Sequence, residues 1–74
     1  MSRERIEVYV HLLDESVEVW RPVQTEHVID SAYRILDQRI PPDESWEFVV
    51  GDVVRCESQV LDGDAVLVAV EKVG

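Results

Sequence analysis

Trp46-Glu47-Phe48-Val49-Val50-Gly51-Asp52-Val53-Val54-Arg55-Cys56 decides the reading of this chain. Two aromatics two residues apart share a face, as alternate residues of an extended strand do. Gly51-Asp52 then supplies a reversal, because glycine reaches positive φ without steric cost. The β-branched run Val53-Val54 leaves that turn as a new strand. Small antiparallel sheets turn corners in this way, so the stretch points to an all-β fold. It points to no activity.

Upstream, Ile6, Val8, Val10 and Leu12 alternate with Glu7, Tyr9, His11 and Leu13. Period two means a half-buried strand. Asp14-Glu15-Ser16 is polar and turn-forming. Val17 and Val19 resume the alternation, and the second strand runs on through Val23 and Thr25 to about Val28. Pro22 has no N–H for a ladder, which makes its position an edge, a bulge or a strand switch. Ile29-Asp30-Ser31 reads as a reversal, and Ala32 to Leu36 as a third strand with Tyr33 and Ile35 on one face. Residues 38–45 form the longest loop, stiffened by Pro41-Pro42.

Downstream, the fourth strand covers Val53 to Ser58, and Asp62-Gly63 marks a hairpin turn. Ala65 to Val70 is apolar at every position, the pattern of a strand covered on both faces. Five short strands around a long central loop predict a small five-stranded antiparallel barrel of SH3-like type in a single domain, 1–74. The alternative is an antiparallel sheet plus one helix at about 27–39. There Val28, Ala32, Ile35, Leu36 and Arg39 fall at helical spacing, with Asp30-Ser31 as the cap.

Val19-Trp20-Arg21-Pro22-Val23, Trp46-Glu47-Phe48, Gly51 and Val54-Arg55-Cys56 together resemble a group of small bacterial proteins of uncharacterised function. Those proteins carry W-R-P-V early and W-E-F-x-x-G-x-x-V-R-C late, and the pattern covers most of this chain. The resemblance implies an SH3-like β-barrel and implies no ligand or catalytic residue.

Sixteen acidic residues face seven basic ones, for a net charge of −9 over 74 residues. The acids are spread evenly along the chain, so no acidic tail exists. Affinity for nucleic acid comes mainly from Lys and Arg on phosphates. One lysine and six scattered arginines disfavour direct DNA or RNA binding, and an anionic membrane surface on the same ground. A partner selected by charge is basic. Met1-Ser2-Arg3-Glu4-Arg5 leads into no long apolar run, so neither a signal peptide nor a membrane helix is expected, and the cytoplasm is the default location. A lone Cys56 cannot form an internal disulfide.

Trp20 and Trp46, with Tyr9, Tyr33 and Phe48, are candidates to line a groove for a proline-rich or cationic ligand. The competing reading places both tryptophans in the core, which so small a domain needs. Arg21 and Arg55 either anchor a partner or form cross-strand ion pairs. Trp20, Arg21, Trp46 and Arg55 are therefore the candidate binding residues. His11, His27 and Cys56 have no metal-ligand spacing, and Cys56 reads as a small core residue. Glycines 51, 63 and 74 stand alone, without a phosphate loop. A barrel this small leaves little room for a pocket of roughly 300 Å³ or more. No catalytic residue, cofactor or metal is assigned, and no enzyme is expected.

Two functions follow. The first is a small acidic interaction module or inhibitor-like protein that binds a basic partner surface. The second is a homo-oligomeric structural subunit that pairs through Ala65 to Val70 or through the Pro22 edge.

Overall fold

The alternation at the start of the chain produces what it predicts. In the computed structural model, which describes residues 4–74, β1 spans Ile6–Leu13. Val8, Val10 and Leu12 are buried while Glu7, Tyr9 and His11 face outward. Met1–Arg3, part of the stretch behind the expectation of no leader, lies outside the described residues. β2 is Trp20–Ile29, β3 Ala32–Ile35, β4 Ser45–Trp46, β5 Val53–Leu61 and β6 Asp64–Lys72.

The chain is all-β, with six strands rather than five. β4 is the addition. Glu44 N donates to Pro41 O at 3.1 Å, which turns the chain so that Ser45 and Trp46 pair with Leu13 and Leu12. No helix exists among the described residues. At 27–39, Asp30 takes the left-handed conformation at φ 49° and ends a strand instead of capping a helix. Ala32, Tyr33 and Arg34 then find partners in Arg55, Val54 and Val53. Backbone pairing to two neighbours outweighs the helical spacing, although it leaves Val28 and Ile29 exposed.

The sheet is mixed, not antiparallel throughout. β1–β2, β2–β3, β3–β5 and β5–β6 are antiparallel, and β6 pairs with β1 in parallel at Tyr9↔Val68. Parity explains this. Leaving out the short β4, the pairings run through an odd number of long strands that reverse at each step, so the last and the first run the same way.

Three boundaries also move. β2 begins at Trp20, not Val17: Leu12 N still donates to Val19 O at 2.9 Å, but Asp14 at φ 63° opens the connection and Val17 is 69% exposed. β3 ends at Ile35, where Ile35 N donates to Asp52 O and Gly51 N to Ile35 O, both at 2.9 Å. β5 continues to Leu61, because Asp62 at φ 52° and Gly63 at φ 84° form the two-residue turn whose twist suits a hairpin.

The core joins Val8, Val10, Leu12, Val23, Ile35, Val54, Cys56 and Ala69, sealed at one end by Trp46 and Phe48. Thr25 is the one buried polar residue among those described, and its hydroxyl donates to Ile6 O at 2.7 Å. The long loop is fastened to β2 by Gln38, which accepts from Gln24 N and donates to Gln24 O, both at 2.9 Å.

Candidate functional site

Arg21 and Trp46 converge, and the residue that joins them is Glu44. Arg21 Nε donates to Glu44 Oε1 at 3.0 Å, and Arg21 Nη2 donates to Oε2. Trp46 Nε1 donates to the same Oε1 at 3.0 Å. The carboxylate therefore accepts from a fork and an indole at once, the strong form of charge-assisted bonding. Hydrogen bonds from Arg21 and then Trp46 hold the Glu44 carboxyl below the usual carboxylate range. The same bond raises the Arg21 guanidinium further. Trp46 itself is buried, so its ring is core and only its N–H reaches the surface network.

Trp20 lies apart from this network. Neighbouring strand residues face opposite ways, so Trp20 points outward beside Arg21. Its ring meets His11 with centroids 5.0 Å apart and planes tilted by 57°. Pro22 lies opposite Tyr9 two residues along, so Tyr9, His11, Trp20 and Pro22 make a half-exposed stripe on the outer face of β1–β2. Around its end stand Asp14, Glu15 and Glu18 on the β1–β2 connection and Glu47, whose N–H donates to His11 O at 3.0 Å.

Arg55 joins neither group. On β5 its Nε donates to Glu71 and its Nη1 to Glu57, each at 2.7 Å. Of the four candidates, the structure links Arg21 with Trp46, leaves Trp20 on the opposite face, and places Arg55 on another strand. Glu44 had no local signal in the sequence. It is 23 residues from Arg21, and only the fold brings them together.

A second feature departs from expectation. An open depression of about 780 Å³ lies against the start of β1, the end of β2 and β3, lined by Glu4, Ile6, Glu26, His27, Val28, Tyr33 and Arg34. The small domain therefore does hold an open concave surface, where β2 runs on past the start of β1 and pairs with β3. His27 and Tyr33 meet edge to face at 5.3 Å, His27 Nε2 bonds Asp30 O at 2.7 Å, and Arg34 pairs with Glu26 at 2.9 Å.

Cys56, the lone cysteine, lies away from these surfaces. Cys56 is buried in the core, and burial pushes its thiol up to about 11. A neutral, enclosed thiol is a poor nucleophile. His11 and His27 sit on different strands, and no group of three or more His, Cys, Asp or Glu among the described residues could hold a metal ion. No helix among the described residues is long and apolar enough to cross a membrane.

No protein-family model matches the chain, and no curated protein or solved structure is significantly similar to it.

Proposed function

We propose that this chain is a small acidic interaction module that docks on a basic surface of another protein, built on an SH3-like barrel. One observation carries the reading. Arg21, Arg34, Arg55 and Lys72 are each engaged by a carboxylate of the chain itself: Glu44, Glu26, Glu57 with Glu71, and Asp52. Exposed carboxylates such as Glu7, Glu15, Glu18 and Glu47 have no basic partner among the described residues. Four of the six described basic side chains are thus paired within the chain, whose net charge of −9 leaves an excess of carboxylates toward solvent. Such a field steers basic partners in and repels phosphate backbones. The half-exposed Tyr9, His11, Trp20 and Pro22 stripe adds apolar contact area where those acids cluster. The barrel reading rests on strand pairings that pass through β2, β3, β5 and β6 and return to β1.

Self-assembly is the second reading. The apolar run Ala65 to Val70 motivates it, yet Val68 and Ala69 are already buried within a single copy. Val66, Leu67 and Val70 stay half-buried and Ala65 exposed, and these are the positions a second copy would cover.

The test is capture on the tagged chain at low salt with nuclease present, beside a parallel high-salt wash. A basic protein retained at low salt and released at high salt supports the module. Recovery of the bait alone, with a dimer mass by light scattering, moves the assignment to self-assembly.

A further inference from the structure

The β5–β6 hairpin outruns the rest of the sheet. β3 pairs with β5 only at Val53, Val54 and Arg55. One more bond, Cys56 N to Ser31 O at 2.8 Å, follows where the chain reverses between β2 and β3. From Glu57 to Leu61, β5 pairs with β6 alone among the described residues. Glu57, Ser58, Gln59 and Val60 are all exposed, Val60 at 70%.

The direction of the unpaired groups follows from the ladder. In an antiparallel strand the N–H and C=O of one residue point the same way, and successive residues alternate. Cys56 N–H points to the β3 side, because it bonds Ser31. Ser58 and Val60 therefore aim their main-chain groups to that side too, where no strand lies beside them. The hairpin turn agrees in phase: it closes Leu61 against Asp64, so Leu61, Gln59 and Glu57 face β6. Glu57 to Leu61 is an edge of about 17 Å, room for a segment of about five residues.

Charge selects the occupant. No lysine or arginine lies between Arg55 and Lys72, whereas Glu57, Asp62, Asp64 and Glu71 do. Arg55 engages Glu57 and Glu71, and no ion pair among the described residues engages Asp62 or Asp64. Asp30 and the 63% exposed Ile29 stand on the turn that ends beside Cys56. A second copy would bring the same carboxylates against these, and like charges at an edge guard against self-pairing. A basic strand meets complementary charge instead.

We propose that an extended segment of a partner protein, carrying lysine or arginine among β-branched residues, adds as a strand to the Ser58–Val60 edge of β5. This rests on the acidic-module reading and names how and where the basic partner binds. Main-chain bonds to Ser58 and Val60 supply affinity, and the carboxylates around the hairpin select basic side chains.

The test uses the isotope-labelled full chain, titrated with a short synthetic peptide alternating lysine with valine and with its glutamate–valine counterpart. Amide shifts and hydrogen exchange are read at low and high salt. The lysine peptide is expected to slow exchange at Ser58 and Val60, less so at high salt, and the glutamate peptide to leave both unchanged. Val60→Pro removes an outward N–H without breaking the β5–β6 ladder, as edge proline does. It is expected to weaken binding about tenfold, roughly the worth of one good hydrogen bond. Asp64→Lys leaves the backbone intact and is expected to weaken the lysine peptide also.

Binding of the lysine peptide elsewhere, with Ser58 and Val60 unchanged, overturns strand addition and leaves the acidic-module reading standing. No binding of that peptide at any salt overturns both. Slowed exchange at Ser58 and Val60 that grows with protein concentration alone gives the edge to a second copy and overturns the proposal.

Discussion

Arg21 and Glu44, 23 residues apart, are held together by two hydrogen bonds, with the indole N–H of Trp46 on the same carboxylate. The contact ties β2 to the loop before β4 and caps the buried end of Trp46. It is partly exposed, with 42% of the Arg21 side chain in solvent. Its importance lies in what it orders more than in Coulomb energy, since exposed ion pairs contribute little.

Glu44 makes acid stability a test of this contact. Its carboxyl titrates below the ordinary value of 4.5 in the folded chain. A depressed carboxyl stabilises fully above its unfolded pKa, and that stabilisation is lost as pH falls through the folded pKa. Glu44→Gln is therefore expected to lower the melting temperature at neutral pH and to flatten the acid limb below pH about 4.5. Thermal melts from neutral to acid pH read both. An unchanged acid limb would assign the loss to other carboxyls.

The two tryptophans separate by environment. Trp46 is 6% exposed and packs in the core, whereas Trp20 is half-buried against His11. Trp46→Ala is expected to cost about 3–5 kcal/mol, enough to unfold much of so small a domain. Trp20→Ala costs less. Quenching by neutral acrylamide, which the acidic surface does not repel, is expected to be weak in the Trp20→Phe variant, which leaves only Trp46, and stronger in Trp46→Phe. Equal quenching would contradict the burial.

The strands were legible wherever one face is buried. Alternation in Ile6 to Leu13 and the Asp62-Gly63 turn carry their own geometry, and both stand where the sequence places them. The length of β5 was not legible: Glu57 to Val60 are exposed on both faces, so no apolar period extends past Cys56. β4 was not legible because two residues carry no period at all. Of the candidate residues, tryptophan and arginine drew attention by type, but the Glu44 link is a long-range contact. Any of sixteen acids could have filled that place until the fold selected one.

The hairpin turn carries a conformational prediction. Gly63 sits at φ +84°, and a Cβ added there meets nothing within 4 Å. Gly63→Ala is therefore a test of backbone strain without a clash. It is expected to cost about 1–2 kcal/mol, the penalty of the left-handed region for an ordinary residue. Gly63→Asn is expected to cost less, since asparagine enters that region more readily. Denaturant melts of the pair measure the difference, and an alanine variant as stable as the parent would mean that the turn changes type.

Cys56 is expected to contribute to the alkaline limb of stability. It is 4% exposed, and its thiol is pushed up to about 11 from 9.0 by burial. A raised thiol pKa means that the unfolded chain loses its proton first. The contribution of this thiol is expected to be full below about pH 9 and to be lost as pH rises toward about 11, by about 2–3 kcal/mol. Cys56→Ala removes this dependence, at the cost of a small cavity beside Val54 and Ala69. The thiol of the folded parent is expected to react with a disulfide reagent only as fast as the chain opens. Urea below the unfolding midpoint then speeds the reaction in proportion to the unfolded fraction. A fast reaction in native buffer would place Cys56 at the surface and remove its contribution to the alkaline limb.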